Sequence, residues 1–288
     1  MDAKIDIDRE ILLESRLAQM HKMETIRLDA LAARQFQLTP EEANGLIMAG
    51  RIYIGQVPAD KPGLPVAADT ILTLREKNRK YASRSGYKLE KALSVFSVCP
   101  RGRIVCDIGA SNGGFTDCLL QHEAARIYAV DVAYGILAWE LRTDERVVVL
   151  ERTNARNLTA DQLGQTCDLA TADVSFISIK KIFPAINRIL KENGQCICLI
   201  KPQFEALPKQ LGKNGNMITP ETDLPPLMHG IADEAEKNRL YMNGLTVSPI
   251  HGTNGNVEYL MFFTRHPSLT EQERQACILQ AIHMLPDM

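Results

Sequence analysis

The stretch RIVCDIGASNGGFTDCLLQ, residues 103–121, decides the fold, because a strand, a turn of small residues and a helix follow one another in it without a break. Small residues at the carboxyl end of a strand let backbone N–H groups approach a ligand, and the N-terminus of the following helix favours an anionic group. The stretch therefore predicts a site for a nucleotide-containing cofactor. We assign to it Asp107, Gly109, Ala110, Ser111, Gly113, Gly114 and Phe115.

The alternation of strand and helix continues to about residue 265. Five short strands are predicted at RIVCDIG, RIYAVDV, RVVVL, CDLATADV and QCICLIKP, with helices at FTDCLLQHE, GILAWELRTD and IKKIFPAINRILKE. This alternation is typical of a doubly wound, parallel α/β sheet. TVSPI and NVEYLMFFTR, separated only by the turn-rich HGTNG, must instead pair antiparallel. A mostly parallel sheet with a reversed terminal strand is the arrangement of class I methyltransferases.

Asp131 ends the second predicted strand, where a carboxylate is well placed to accept hydrogen bonds from ribose hydroxyls. Dinucleotides and S-adenosyl-L-methionine both use this layout, so the turn and the acid alone do not choose between them. Ser111 stands at the third position of the dinucleotide fingerprint, where glycine is expected. S-adenosyl-L-methionine is favoured by that departure, by the position of Asp107 before the first glycine and by the reversed terminal strand. A nicotinamide enzyme is the alternative.

Three charged residues stand at strand ends on the edge where a doubly wound sheet carries its active site. Asp173 ends the fourth predicted strand, Lys201 ends the fifth and Glu258 opens the last. One charge at a strand end is expected wherever solvent begins, but three on one edge beside a cofactor turn predict a catalytic site. Pro202 fixes the direction of the chain after Lys201.

The other segments flank this α/β region. In chain order we predict a helical extension (1–24), a small α+β module (25–74), a basic linker (75–88), the α/β domain (89–266) and a C-terminal helix (267–288). Within the module, helices are predicted at IRLDALAARQ and EEANGLIMAG, and strands at RIYIGQVPAD and DTILTL. Thr39 and Pro40 begin the second helix. Loops between the strands are predicted at Pro58, Pro62, Gly63 and Pro65.

The charge balance weighs against a nucleic-acid partner unless basic residues cluster. The 288 residues include 33 Lys and Arg against 35 Asp and Glu, a formal net charge of −2. Neutralising phosphates takes a basic surface. Residues 75–91, REKNRKYASRSGYKLEK, supply one, with seven bases and two acids.

Membrane, secreted and metal-binding classes are disfavoured. No stretch approaches the roughly 18 consecutive apolar residues of a membrane span, and the charged N-terminus is unlike a secretory signal, so we expect a cytoplasmic protein. The seven cysteines are odd in number and lie mostly in apolar runs, which is typical of reduced, buried thiols. Cys196 and Cys198 have no second ligand pair nearby, so we expect no metal site.

Seven motifs then occur in the order and spacing of a known family: SRSGYKLEKAL, DIGASNGGFTDCLLQ, YAVDVAYGILAWELR, LERTNAR, DVSFIS, KPQFE and GNVEYL. From about residue 25 to 265 the chain closely resembles the haemolysin-A-type (TlyA) ribosomal RNA 2′-O-methyltransferases, relatives of the FtsJ family. The resemblance implies methyl transfer from S-adenosyl-L-methionine to a ribose 2′-hydroxyl, at a cytidine of ribosomal RNA. It also implies a catalytic tetrad and further cofactor contacts: Lys88, Asp173, Lys201 and Glu258 for the tetrad, Asn154 and Asp173 for the cofactor.

The residue types suit this chemistry. Methyl transfer from a sulfonium to a hydroxyl needs chiefly position and electrostatics. Lys201 is interpreted as the residue that activates the hydroxyl, with Lys88 steadying the developing oxyanion. Asp173 would orient Lys201 near the sulfonium, and Glu258 would hold the lysine pair and the ribose.

The front of the chain resembles the RNA-binding module named after the fourth small-subunit ribosomal protein, with departures. Thr39-Pro40-Glu41-Glu42 stands where relatives carry bases, and Ser85-Gly86 stands where the linker usually has two glycines. Residues 25–74 hold four bases and five acids, so we expect weak, salt-sensitive RNA binding. The residues that we assign to RNA are Arg27, Arg51, Lys80 and Arg84. The alternatives are a membrane-active haemolysin and a non-catalytic RNA-binding or ribosome-assembly protein.

Overall fold

The computed structural model describes residues 25–284 except 49, 56, 60, 75–79, 213–216, 218 and 253–254. The chain divides into two compact units, residues 1–78 and 79–288. The predicted extension at 1–24 and the first five residues of the predicted linker, 75–79, lie outside the described residues. Among those that are described, no helix is long and apolar enough to cross a membrane.

The first unit combines two helices with short antiparallel strands. Its elements are β1 (Thr25–Arg27), α1 (Leu28–Phe36), α2 (Pro40–Met48), β2 (Ile52–Ile54), β3 (Val57–Pro58), β4 (Pro65–Ala67) and β5 (Leu72–Leu74). β1 pairs with β4, and β2 lies between β3 and β5. Leu28, Leu31 and Ile47 from the helices and Ile52 from β2 are fully buried and form the core.

The ends of these elements follow from local chemistry. Thr39 caps α2 as predicted: its hydroxyl accepts from the Glu42 N–H at 3.2 Å, and its own N–H donates to the Glu42 carboxylate at 2.8 Å. The first predicted helix is two residues too long, because Ile26 and Arg27 belong to β1. Pro58 and Pro65 lie in strands rather than in the predicted loops. Both strands are short, and each pairs with one neighbour, an edge position that tolerates proline.

The second unit is built on a seven-stranded sheet in the order β11-β12-β10-β9-β6-β7-β8. Its strands are β6 (Ile104–Ile108), β7 (Arg126–Val130), β8 (Val147–Leu150), β9 (Cys167–Ala172), β10 (Leu190–Ile200), β11 (Tyr241–Val247) and β12 (Tyr259–Thr264). β12 pairs antiparallel with both β10 and β11, and the pairs from β10 to β8 are parallel. The predicted class I methyltransferase fold, with its reversed terminal strand, is confirmed.

Helices cover both faces of this sheet. They are α3 (Ser85–Val95), α4 (Gly114–Gln121), α5 (Trp139–Arg142), α6 (Ala160–Leu163), α7 (Phe183–Ile189), α8 (Pro202–Glu205), α9 (Pro220–Glu236) and α10 (Glu271–His283). Val105 of β6 joins the core under α3 and α4, whereas the next residue, Cys106, joins the core under α7, α9 and α10. Side chains alternate between faces along a strand, so burial on both sides gives the continuous apolar runs seen in the sequence.

One predicted helix ends early. The sequence IKKIFPAINRILKE predicts a helix to residue 192, but α7 ends at Ile189 and Leu190 already pairs with Cys167 of β9. The Arg265 guanidinium explains the abrupt end, because it donates to the backbone oxygens of Asn187 at 2.7 Å and Leu190 at 3.0 Å. Carbonyls at a helix end lack intrahelical partners, and a buried guanidinium satisfies them here.

Candidate active site

The cofactor turn joins β6 to α4. Gly109 and Gly113 have φ angles of +81° and +95°, which favour glycine. A Cβ on Gly109 would lie 2.3 Å from the Asp173 backbone oxygen. The turn therefore lies directly against the end of β9, and only glycine allows that approach.

Asp131 lies at the end of β7 and holds the turn. Its carboxylate accepts from the backbone N–H of Ser111 and from that of Ala133, each at 2.8 Å. Asn154, by contrast, is exposed, and its side-chain oxygen accepts from the Arg156 N–H at 3.2 Å in its own turn. The structure thus brings Asp131 to the turn and leaves Asn154 outside the cavity described next.

A cavity of about 230 Å³ opens at the carboxyl edge of β6, β9 and β10. Its walls combine the turn, the ends of β9 and β10 and the start of α3. The lining residues are Ser83, Ser85, Gly109, Ala110, Ser111, Phe115, Asp173, Ser175 and Lys201. Six of them were predicted from the sequence. Three serines were missed, although they lie inside the motifs SRSGYKL and DVSF.

Lys201 stands at the centre of the charged groups in this cavity. Its Nζ forms an ion pair with Asp173 Oδ1 at 2.6 Å, and it donates to Ser175 Oγ at 2.7 Å. The side chains of Lys201 and Asp173 are 11% and 17% exposed, so solvent screens the pair only weakly. One of the ammonium's three donors is thus used by Ser175, and the others are available to Asp173 and a ligand.

Lys88 and Glu258 form a second, more deeply buried pair. Lys88 Nζ lies 2.5 Å from Glu258 Oε2, with side chains 10% and 3% exposed. Lys88 belongs to α3, and Glu258 immediately precedes β12. Neither lines the cavity that contains Lys201. The four residues of the predicted tetrad therefore form two separate ion pairs.

Asp107 lies beneath the cavity rather than on its wall. Its carboxylate is fully buried and accepts from the hydroxyls of Thr116 at 2.6 Å and Thr171 at 2.8 Å. Burial raises the pKa of Asp107 to about 6; the two hydroxyls oppose the rise, and the charges of Asp173 and Asp131 add to it. Asp107 ties β6, α4 and β9 together, so we assign it a supporting position.

Glu205 of α8 holds the loop that follows Asp173. Its carboxylate accepts from the Ser178 hydroxyl and from the Ile179 N–H, each at 2.6 Å. Burial raises the pKa of this carboxyl, although both hydrogen bonds oppose the shift. The motif KPQFE thus anchors DVSFIS, a link that spacing in the sequence does not reveal.

The residues assigned to RNA are divided between the units. Arg27 and Arg51 belong to the first, and the Arg27 Nε donates to Asp29 at 3.1 Å, which offsets part of its charge. Lys80 and Arg84 belong to the second, where Lys80 pairs with Glu90. Arg84 is exposed and forms no ion pair with any residue that the structure describes.

Comparison with known proteins agrees with this architecture. The family model described as FtsJ-like methyltransferase matches residues 81–265. Bacillus subtilis YqxC, named as an rRNA methyltransferase, is 45% identical over 237 residues, 82% of this chain and 84% of the relative. The 16S/23S rRNA (cytidine-2′-O)-methyltransferase TlyA of Mycobacterium tuberculosis is 41% identical over 82% of this chain and 88% of its own length. A solved structure from Streptococcus thermophilus that carries a hemolysin name has a TM-score of 0.66 and 38% identity, covering 90% of this chain and 96% of its own.

Proposed function

The chain belongs to the FtsJ-like methyltransferase family, and from this premise we propose that it transfers a methyl group from S-adenosyl-L-methionine to a ribose 2′-hydroxyl of ribosomal RNA, at a cytidine. The observation that carries the proposal is the cavity in which Lys201 and Asp173 face the glycine turn. A charged pair beside a nucleotide-type turn supplies both the binding and the electrostatics that methyl transfer needs.

The shape of the turn fits an adenosyl cofactor. Gly109 and Gly113 let the turn pack closely against Asp173 and Leu141, where any Cβ would intrude, and the N-terminus of α4 that follows favours a carboxylate. Asp131 keeps lone pairs for ribose hydroxyls beyond the two hydrogen bonds that it already accepts. When bound, the cofactor supplies a methyl group on a positively charged sulfur. Ala110, Ser111 and Phe115 would form the remaining wall, with Gly114 and Asp107 supporting it, and Asn154 stays a proposed cofactor contact outside this cavity.

Lys201 is proposed to hold the ribose 2′-oxygen. Because Ser175 and the charge of Asp173 hold its ammonium in place, an N–H of that ammonium can point at the hydroxyl oxygen and stabilise negative charge as the proton leaves. Asp173 would in addition place a negative charge near the cationic sulfur. The oxygen forms the new bond to carbon, the bond between carbon and sulfur breaks, and the hydroxyl proton passes to solvent water.

The Lys88–Glu258 pair is proposed to act through position. Burying a charge is costly unless it is paired, so each side chain fixes the other. The pair would hold α3 and the start of β12 in place beside the ribose. Because the pair does not line the cavity of Lys201, a positioning role for Lys88 is proposed alongside the oxyanion role that the sequence suggested for it.

RNA is proposed to reach this site through a narrow basic surface. Lys80 and Arg84 lie near the start of α3, while Arg27 and Arg51 would add contacts from the first unit. Since Lys80 and Arg27 already pair with carboxylates, few charges remain for phosphates. Binding should therefore weaken with salt along a shallow slope that reflects only a few phosphates.

The test is methyl transfer from tritiated S-adenosylmethionine onto purified ribosomal subunits and naked rRNA, followed by mapping of the modified nucleotide. We expect incorporation at a cytidine 2′-oxygen and a fall in kcat of about 10²–10³-fold for Lys201→Ala. Lys191→Ala, which removes a lysine from the other end of β10, is the matched control and should stay within about twofold. Wild-type protein that binds the cofactor yet labels none of these RNAs would refute the proposal.

A further inference from the structure

A second cavity, of about 360 Å³, lies at the same edge of the sheet. Gln203 reaches it two residues after Lys201, and Asn256 reaches it two residues before Glu258. The two segments are neighbours because Ile200 of β10 pairs with Tyr259 of β12. The start of α9 and the end of α10 close the cavity on its other side.

Two buried amide oxygens in this cavity have no hydrogen-bond partner among the described residues: Gln203 Oε1 and Asn256 Oδ1. Asn256 is only 7% exposed, and its backbone oxygen is fixed by the Gly252 N–H at 2.8 Å. An unpaired buried polar atom costs free energy, so native structures rarely keep one without a ligand or water to satisfy it. Both residues line the cavity, which places these two side chains in its wall.

The walls restrict the chemistry of that ligand. Apolar side chains such as Leu224, Val257 and Ile282 line much of the cavity, which suits a flat ring. Glu221 is the charged acid in the wall, and the lining residues include no lysine or arginine, so a phosphate is disfavoured. The fitting occupant is a heteroaromatic base with N–H donors.

We propose that this cavity receives the base of the target nucleotide and that Gln203 and Asn256 accept hydrogen bonds from the N4 amino group of cytosine. That group carries two N–H donors, one for each amide oxygen, whereas uracil has a carbonyl oxygen in the same place. A base that is taken out of its stack can be identified in this way by its hydrogen-bonding edge. The assignment rests on the proposed methyl transfer and adds to it the group that selects cytidine.

The experiment compares ribosomal subunits that carry the mapped cytidine with subunits that carry uridine in its place. Wild-type protein should prefer cytidine by at least about 100-fold in kcat/KM, because a site built to bond a donor rejects an analogue without it. Gln203→Met and Asn256→Ala should each lower kcat/KM on cytidine about tenfold, mainly through KM, and shrink the preference to about fivefold or less. Asn238→Ala is the control, since it removes a half-buried amide that bonds only the Glu234 backbone oxygen at 2.9 Å.

Melting curves and calorimetric titration with S-adenosylmethionine confirm that each variant is folded and binds its cofactor. If Asn256→Ala does not fold, Gln203→Met, at a half-buried position, decides the matter. Folded variants that keep the wild-type preference for cytidine would overturn the assignment and leave the proposed function intact. Wild-type protein that labels neither RNA would overturn the proposed function, and the assignment with it.

Discussion

Two lysine–aspartate pairs join β9 to β10, one at each end of the strands. Lys201 and Asp173 meet at the carboxyl edge, and Lys191 and Asp168 meet at the amino edge, with N···O distances of 2.6 Å in both. The side chains of the second pair are 43% and 30% exposed, against 11% and 17% in the first. The residue types and distances are the same, so the surroundings are what most separates the two pairs.

The surroundings decide what each pair can do. At the amino edge, Asp168 also accepts a hydrogen bond from the Ile104 N–H at 2.9 Å, and this bond fixes the start of β6. At the carboxyl edge, Asp173 and Lys201 face a cavity beside a glycine turn. The comparison teaches that a charged pair at a strand end indicates a functional site only where a cofactor-sized space lies beside it.

The strongest way to break the comparison is to neutralise each aspartate. Asp173→Asn keeps the shape of the side chain and removes its charge, so we expect kcat for methyl transfer to fall about 10²–10³-fold. Asp168→Asn should leave kcat within about twofold and cost up to about 1 kcal/mol of unfolding free energy, as for other exposed pairs. Steady-state kinetics and urea unfolding measure the two effects. Equal losses of activity would show that the edges do not differ.

Two glycines, one on each side of β6, sharpen the comparison between the two edges of the sheet. Gly109, after the strand, has no room for a Cβ, whereas Gly102, before it, has a φ of +70° and open space within 4 Å. Gly109→Ala should push the turn away from Asp173 and weaken binding of S-adenosylmethionine about 30-fold, measured by calorimetry. Gly102→Ala should leave that affinity unchanged and cost about 1 kcal/mol of stability through backbone strain.

The smallest expected effect is a difference in how the unfolding free energy depends on pH. Burial raises the pKa of Asp107 to about 6, so this carboxyl binds its proton more tightly in the folded than in the unfolded chain. Its contribution to stability is present below pH 4 and is lost as the pH rises through 6, by roughly 1 kcal/mol between pH 5 and 7.5. Asp107→Asn should remove that loss, as measured by urea unfolding at the two pH values.

The pKa of Asp168 is shifted in the opposite direction from that of Asp107. Burial raises its pKa, but hydrogen bonds from Lys191 and the Ile104 N–H outweigh burial and hold the pKa below its ordinary value. Its contribution is therefore present at neutral pH and is lost only as the pH falls below about 4. Asp168→Asn should leave the change in unfolding free energy between pH 5 and 7.5 as it is in the wild-type protein. A flattened slope in this variant would contradict the assignment of the titration to Asp107.

The sheet was predictable because its strands are buried on both faces. The apolar runs at RIVCDIG and QCICLIKP indicate strands that are covered on both faces. The antiparallel pairing of β11 and β12 followed from a connection too short for a crossover. The first unit was harder. Pro58 and Pro65 oppose strand formation locally, and only pairing with β2 and β1 places them in strands.

Site residues were predictable from the sequence where their position depends only on the end of a single strand. Asp173, Lys201 and the glycine turn follow from that rule. The pairing of Lys88 with Glu258 does not, because it depends on how α3 lies against the start of β12. The burial of Asp107 depends likewise on two threonine hydroxyls, one of them on a strand 64 positions away. Spacing along a chain carries no signal for contacts of this kind.

The Lys88–Glu258 pair also sets an order of events during synthesis. The two residues are 170 positions apart, so the partner of Lys88 is made roughly 10–30 s later at ordinary translation rates. Until then the lysine cannot be buried without leaving an uncompensated charge. A chain interrupted before residue 258 would hold the whole glycine turn and both Lys201 and Asp173, yet α3 could not settle against the sheet. The last strand of the sheet to be made thus brings with it the carboxylate that lets α3 bury its lysine.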